Sequence, residues 1–197
     1  MNAYYQTHPV GVLYLLVVLG WYGTEAVEFA RQRQWRAAAA RIGPRSYWPA
    51  FWACMAVAIT MLFVAPHIAP AAAIAHPAVG FAIGMVMLVT GVALRLWSFR
   101  ALGQYFTFTV KVSPDQPVIT TGPYRLLRHP GYAWGLLATL GVGVMWGNWV
   151  SLATLAALVL AFIIWRIRTE EKALLATLDG SYRAYAAQRK RLVPLVW

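Results

Sequence analysis

Long apolar runs constrain this chain more than any other feature of its sequence. Crossing the hydrocarbon core of a bilayer takes about 20 mostly apolar residues in a helix. Three such runs occupy residues 10–29, 48–64 and 78–97. A fourth stretch, 131–167, is too long for one span, and Trp146-Gly147-Asn148-Trp149 supplies a turn near its middle. The runs therefore predict an all-α polytopic membrane protein with about five transmembrane helices, the last two at 131–146 and 149–167.

Composition agrees with a single integral membrane domain over residues 1–197. Hydrophobic residues make up 60% of the chain and charged residues 12%, whereas ordinary soluble domains are about 45–50% apolar. No basic segment precedes the first run and no small-residue cleavage site follows it, so we expect a retained span rather than a signal peptide. The single cysteine, Cys54, excludes an intrachain disulfide framework.

Basic residues predict the orientation of the spans. The net charge is +11, but the Lys and Arg side chains flank apolar segments instead of following one soluble face, which argues against nucleic-acid binding. With five spans, all 17 basic residues fall on one side of the membrane. The positive-inside rule makes that side cytoplasmic. We expect an N-terminus outside, a C-terminus inside, and a site that faces the cytoplasm from the cytoplasmic membrane.

A polar connector of residues 101–130 is the first candidate for function. Irregular backbone is costly within lipid, and long structured loops usually have a purpose. Residues 105–112 and 117–121 are predicted to be extended. His129-Pro130 is typical of a helix start, where exposed N–H groups and the helix dipole favour an anionic group. The alternative is that His129 simply caps the helix.

The segment that follows the last span is the second candidate. Arg166 and Glu170 are four residues apart and share a helix face, either as functional groups or as a simple ion pair. Beyond them, we predict two short amphipathic helices that are separated at Asp179-Gly180 and cover the cytoplasmic face. One stripe on these helices carries Leu174, Leu178, Tyr182 and Tyr185. The two tyrosines could close over a ligand or anchor the chain at the interface.

These two segments carry a recognisable combination of motifs. The strings TTGPYRLLRHPGY and RTEEKALLATLDGSYRAYAAQRKRLVP resemble the isoprenylcysteine carboxyl methyltransferases and the related membrane phospholipid methyltransferases, over about residues 102–194. The resemblance implies S-adenosylmethionine as cofactor, and Arg166 as the catalytic residue that contacts the substrate. It assigns cofactor binding to Lys111, Gln116, Pro117, Val118, Ile119, Tyr124, His129, Pro130, Gly131, Tyr132 and Glu170. At Gly131 the family usually has serine, so a hydroxyl contact is lost there.

The expected function is methyl transfer at the membrane from S-adenosylmethionine to a lipophilic small molecule or a lipidated substrate. Such an in-line displacement depends on alignment of the two reactants and needs no general base when the acceptor is a carboxylate or thiolate. Isoprenylcysteine carboxylates, phospholipid amines, small thiols and quinone-like lipids are all compatible acceptors. One alternative is an NADPH-dependent membrane sterol or steroid reductase. Another is a non-enzymatic adaptor or transporter, although transporters usually place ionisable residues near the bilayer midplane. Neither a metal-ligand cluster nor a glycine-rich nucleotide loop is visible in the sequence.

Overall fold

A computed structural model describes residues 10–33, 47–107, 112–193 and 197. Its five α-helices are α1 (Val10–Arg33), α2 (Tyr47–Ile68), α3 (Pro77–Leu102), α4 (Pro130–Trp146) and α5 (Trp149–Gln188). Within the described ranges the only β-type pairing consists of two isolated bridges. The predicted all-α class is therefore confirmed.

Four of the five helices are long and apolar enough to cross a membrane, namely α1, α2, α3 and α5. Large apolar side chains are exposed along the first three, including Leu16, Leu19, Phe63 and Val86. Such exposure is expected of helices that face lipid. Helix α4 has 17 residues, or about 26 Å at the usual rise per residue, a little less than the hydrocarbon thickness of about 30 Å. The fifth span and the orientation of the chain thus remain predictions.

The predicted turn between α4 and α5 is confirmed, and Asn148 is the residue that builds it. Gly147 adopts a left-handed conformation with φ 78°, which glycine tolerates without strain. The Asn148 side chain then caps α5 by accepting hydrogen bonds from the backbone N–H groups of Val150 and Ser151, at 3.0 and 3.1 Å. Its amide nitrogen also donates to the Ala69 carbonyl at 3.0 Å. These bonds join the α4–α5 turn to the α2–α3 connection at one end of the bundle.

Helices α3 and α4 approach each other closely because glycines face one another. A β-carbon added to Gly84 would lie 2.5 Å from the Gly141 carbonyl oxygen, and one added to Gly91 would lie 2.6 Å from the Ala138 nitrogen. Small residues at such positions let two helix backbones touch. This contact holds the last turns of α3 beside the first turn of α4, where the polar connector returns to the bundle.

The predicted break at Asp179-Gly180 is confirmed, because Asp179 has the non-helical angles φ 30° and ψ −104° and divides α5 into two helical segments. The prediction that the first of these segments is a short helix separate from the last span is wrong, because it continues α5 from Trp149 without a break. No glycine or proline interrupts residues 149–179, so nothing ends the helix at the membrane boundary. The segment before the kink, residues 149–178, measures about 45 Å, which exceeds the hydrocarbon thickness of about 30 Å. Its C-terminal half therefore projects beyond the bundle at the end that carries the connector.

The predicted extended pieces of the connector are confirmed only in part. Tyr105 closes a 3₁₀ turn over Gly103–Tyr105, but Phe106 after it is extended, and residues 108–111 lie outside the described residues. Thr121 is also extended, and residues 117–120 form neither a helix nor a strand pairing with described residues. A second 3₁₀ turn, Gly122–Arg125, then leads towards α4.

Candidate active site

A cavity lies where the connector meets the end of α3, the start of α4 and the projecting half of α5. It contains about 870 Å³ of empty space, which includes the solvent at its open mouth. Two predicted positions, Pro130 and Arg166, are not part of its lining, and Lys111 lies outside the described residues. The predicted positions that do line the cavity are Gln116, Pro117, Val118, Ile119, Tyr124, His129, Gly131, Tyr132 and Glu170.

His129 is the N-cap residue of α4, as its position before Pro130 predicted, but its side chain makes no capping hydrogen bond. The interpretation of His129 as a simple helix cap is therefore wrong. The imidazole is only 5% exposed, and its Nε2 atom lies 3.3 Å from a carboxylate oxygen of Glu171. Pro130 starts the helix behind it and is fully buried. The backbone thus begins α4 while the imidazole faces α5.

Tyr132 connects the predicted cofactor residue of α5 to the predicted substrate residue. Its hydroxyl donates to Glu170 Oε2 at 2.6 Å and accepts from Arg166 Nε at 2.5 Å. The Arg166 guanidinium carbon also lies 5.6 Å from the centre of the Tyr132 ring, within the range of a cation–π contact. Because Tyr132 lines the cavity and Arg166 does not, the tyrosine stands between Arg166 and the cavity.

Glu171, a buried carboxylate next to Glu170, was not predicted from the sequence to have a role in the site. It is 6% exposed and pairs with Arg128 Nη1 at 2.7 Å and Arg191 Nε at 2.7 Å, in addition to His129. Both of its oxygens are therefore occupied by protein groups. Glu170 lines the cavity and keeps 29% of its side chain exposed, so it is the carboxylate with capacity for a ligand. The two adjacent glutamates are evident in the sequence, but no local pattern there distinguishes the carboxylate that faces the cavity from the one that pairs with arginines.

Arg95 was also missed, although it lines the cavity from α3. Its guanidinium donates to both oxygens of Glu25 on α1, at 2.5 and 3.3 Å, and to the Gly131 carbonyl at 2.5 Å. The pair is largely buried, with 17% and 21% of the side chains exposed. A β-carbon on Gly135 would lie 2.7 Å from Arg95 Nη1, so the glycine leaves room for the guanidinium. One side chain thereby joins α1, α3 and the first turn of α4.

The segment after the Asp179 kink covers the cavity. The Tyr185 hydroxyl lies 2.8 Å from the Tyr124 carbonyl oxygen and 3.1 Å from that of Leu127. Behind it, the Arg128 backbone N–H donates to the Lys190 carbonyl at 2.8 Å. The chain after α5 is therefore hydrogen-bonded to the connector.

The predicted stripe of α5 faces this cavity along its whole length. Its four members, Leu174, Leu178, Tyr182 and Tyr185, all belong to the lining. Tyr182 is only 4% exposed, so the interpretation of this residue as an interfacial membrane anchor is wrong. The stripe closes over the cavity, which was the other interpretation that the sequence left open.

The phenol of Tyr124 is held in its neutral form. Burial raises its pKa above the ordinary value, and the negative charge of Glu170 adds to the rise.

The lining also includes the aromatic rings of Phe99 and Phe106, which stack with their centres 3.8 Å apart. Among the described residues, the cavity thus combines one accessible carboxylate with aromatic and aliphatic walls. Such a lining fits a ligand that has a cationic group and a flat apolar part.

Comparison with known proteins identifies the family. The sequence model described as phospholipid methyltransferase matches residues 79–179, which is more than half of the chain. The chain belongs to the phospholipid methyltransferase family. The matched region runs from α3 through the connector and α4 to the Asp179 kink, and so contains most of the cavity lining. The resemblance predicted from the motifs is confirmed.

Relatives of this family member carry more specific names. Protein-S-isoprenylcysteine O-methyltransferase A of Arabidopsis thaliana is 33% identical over 115 residues, which are 57% of this chain and 58% of the plant protein. Protein-S-isoprenylcysteine O-methyltransferase of Schizosaccharomyces pombe is 32% identical over 111 residues, 55% of this chain and 47% of the yeast protein. The chain thus spans roughly half the length of these relatives.

A solved structure shares the fold. It is that of the eukaryotic intramembrane Ras methyltransferase, isoprenylcysteine carboxyl methyltransferase, which superposes with a TM-score of 0.63 at 23% identity. The similarity covers 79% of this chain and 55% of the other. It supports the polytopic helical architecture described above.

Proposed function

We propose that this protein is an S-adenosylmethionine-dependent methyltransferase that acts within the membrane on a lipophilic acceptor, in the manner of the isoprenylcysteine carboxyl methyltransferases. The observation that carries the proposal is the cavity itself, which brings the RHPGY motif, the connector and Glu170 together. Glu170 lies 38 residues after Tyr132 along the chain, and most of the lining lies within the region that matches the family. The names of the relatives support the same reaction class.

The residues of the cavity fit the proposed cofactor. When bound, S-adenosylmethionine supplies an electrophilic methyl group on a positively charged sulfur. Residues 116–119 of the connector and the stripe on α5 would enclose its adenosine part, and Glu170 would bind its cationic amino group. The hydrogen bond from Tyr132 holds the Glu170 carboxylate in one orientation. Residues before Pro130 and the cover at Tyr185 would exclude water from the site.

Arg166 is the residue that we assign to the acceptor. Its guanidinium stays charged at any physiological pH and offers several donors, which suits a carboxylate or phosphate head. The contact with Tyr132 positions that charge beside the cavity without placing it in the lining. An acceptor held at Arg166 would lie next to the bound S-adenosylmethionine near Tyr132, while the apolar tail of the acceptor stays among the lipid-facing helices. Alignment of the two reactants then accounts for much of the acceleration.

Binding and turnover can be measured separately to test these roles. Protein in detergent would be titrated with S-adenosylhomocysteine by calorimetry, and then supplied with methyl-labelled S-adenosylmethionine and either S-farnesylcysteine derivatives or phosphatidylethanolamine. We expect Glu170→Gln to weaken binding of S-adenosylhomocysteine about tenfold or more, because it removes the only carboxylate in the cavity lining among the described residues. Arg166→Gln should keep donor binding and lose turnover.

Asp179→Asn provides the matched control for charge, since Asp179 is exposed and pairs only with Arg183 at 2.9 Å among the contacts described. It should behave as wild type in both measurements. Methyl incorporation into one acceptor class would identify the substrate type. Binding and oxidation of NADPH without binding of S-adenosylhomocysteine would contradict the proposal and favour a reductase. Uptake of a solute without any methylated product would favour a transporter.

A further inference from the structure

The hydroxyl of Tyr182 is a buried polar group that has no hydrogen-bond partner among the described residues. Its side chain lines the cavity and the residue is 4% exposed. Buried hydroxyl groups nearly always have a partner, because an unmade bond leaves the desolvation of the group uncompensated. The position of Tyr182 in the cavity wall points to a ligand as the missing partner.

Tyr185, in the same segment, provides a comparison because its hydroxyl has a structural role. The two rings lie 6.1 Å apart, centre to centre. Tyr185 directs its hydroxyl to the carbonyl oxygens of Tyr124 and Leu127 and so attaches α5 to the connector. Tyr182 makes no comparable bond with described residues. Of the two neighbouring phenols, only Tyr182 has its hydroxyl available for a ligand.

The charges around Tyr182 indicate which part of a ligand it meets. Glu171, Glu170 and Arg128 are the charged groups that act on its hydroxyl. Glu171 is already occupied by Arg128 and Arg191. Arg128 uses Nη1 for this pair, but its buried Nε–H has no partner among the described residues, and the side chain lines the cavity. Among the described residues, the lining therefore holds two buried donors without a partner and one carboxylate with capacity, Glu170.

We propose that Tyr182 is a binding residue for the amino-acid end of the methyl donor. Its hydroxyl and the Arg128 Nε–H would both donate to the α-carboxylate of the ligand, while Glu170 binds the ammonium group. Two donors and one acceptor complement the zwitterion in both charge and hydrogen bonding. The inference rests on the proposed function, because it presupposes that S-adenosylmethionine occupies this cavity.

Two ligands that differ only at the amino-acid end test the inference. S-adenosylhomocysteine carries the zwitterion, whereas methylthioadenosine keeps the adenosine part and lacks the amino acid. In Tyr182→Phe we expect the Kd of S-adenosylhomocysteine to rise about tenfold, the usual effect of one lost hydrogen bond to a charged group. The Kd of methylthioadenosine should stay within about twofold of wild type, and the Tm without ligand should not fall, because phenylalanine removes an unpaired hydroxyl.

Tyr185→Phe is the matched control, since it removes the same atom from a hydroxyl that the protein itself binds. It should lower the Tm and affect both ligands alike. If Tyr182→Phe also lowered the Tm, or weakened both ligands equally, its hydroxyl would be structural and the inference would be wrong. Unchanged binding of S-adenosylhomocysteine by Tyr182→Phe, with normal binding by wild type, would overturn the inference alone. Failure of wild type to bind either ligand would overturn the proposed function, and the inference with it.

Discussion

Two carboxylates of α5 pair with arginines at nearly the same distance and differ in burial, which makes them a test of how this fold is stabilised. Glu171 lies 2.7 Å from Arg128 and from Arg191, with 7% of its side chain exposed. Asp179 lies 2.9 Å from Arg183, with 75% of its side chain exposed. Distance alone would assign the two contacts similar energies. Burial predicts a large difference between them.

Replacing Glu171 by glutamine keeps the shape of the side chain and removes its charge. Arg128 and Arg191 would then face an amide in a largely buried position, and His129 would lose the carboxylate that it contacts. Removing one partner of a buried charge cluster costs about 3–5 kcal/mol, because the remaining charge stays desolvated and uncompensated. For a protein of this size, that corresponds to a fall in Tm of roughly 6–20 °C.

Thermal unfolding in detergent, followed by circular dichroism or by a thiol-reactive dye at Cys54, would measure the effect. Asp179→Asn serves as the surface comparison and should leave the Tm within about 2 °C of wild type, since exposed ion pairs contribute little. We further expect Glu171→Gln to weaken binding of S-adenosylhomocysteine, because Glu171 holds His129 and the chain after α5 in place. Equal Tm values for the two variants would refute the assignment of Glu171 as a stabilising centre of the site.

Three further variants test the packing around the site by thermal unfolding. Gly84→Ala should lower the Tm markedly, because the added β-carbon would overlap the Gly141 carbonyl. As its control, Gly20→Ala adds a β-carbon with no atom within 4 Å and should leave the Tm unchanged or slightly higher. Equal effects of the two variants on the Tm would contradict the close α3–α4 contact. Asn148→Ala should lower the free energy of unfolding by about 1–3 kcal/mol, because it removes the α5 cap and the hydrogen bond to the Ala69 carbonyl. A variant with the Tm of wild type would show that the cap is dispensable. Arg95→Lys keeps the charge, but a single ammonium group cannot bind the Glu25 carboxylate and the Gly131 carbonyl together as the guanidinium does. We therefore expect a lower Tm and weaker binding of S-adenosylhomocysteine. A variant that matches wild type in both measurements would argue against the bridging role of Arg95.

Much of the site was predictable because its residues occur in local motifs. Pro130 at a helix start follows from the fixed φ angle of proline, and it placed His129 correctly at the N-cap. The helical period placed Leu174, Leu178 and Tyr182 on one face, which is the face that lines the cavity. The resemblance to the methyltransferases supplied the connector positions 116–119. These inferences depend only on residues near each other in sequence.

What local patterns could not show is how distant charges pair. Glu25 and Arg95 are 70 residues apart, and only the packing of α1 on α3 brings them into contact. Glu170 and Glu171 are neighbours in sequence, yet one turns to the cavity and the other to two arginines, of which Arg191 lies beyond the helix. Which of the two glutamates faces the cavity depends on the path of the chain after the kink, because that path brings Arg191 to Glu171.

By itself, the sequence determined that this is a helical membrane protein, because the bilayer thickness and the obligatory hydrogen bonding of the backbone leave few other structures to long apolar runs. It also determined the residues available for a site at one end of the bundle. The tertiary structure alone decided that α5 continues past the bundle as far as Asp179, and that Tyr132 stands between Arg166 and the cavity. It also decided that Tyr182 is buried with a hydroxyl that has no partner among the described residues. The physical reason is that burial and pairing belong to the packed chain, and no local pattern contains them.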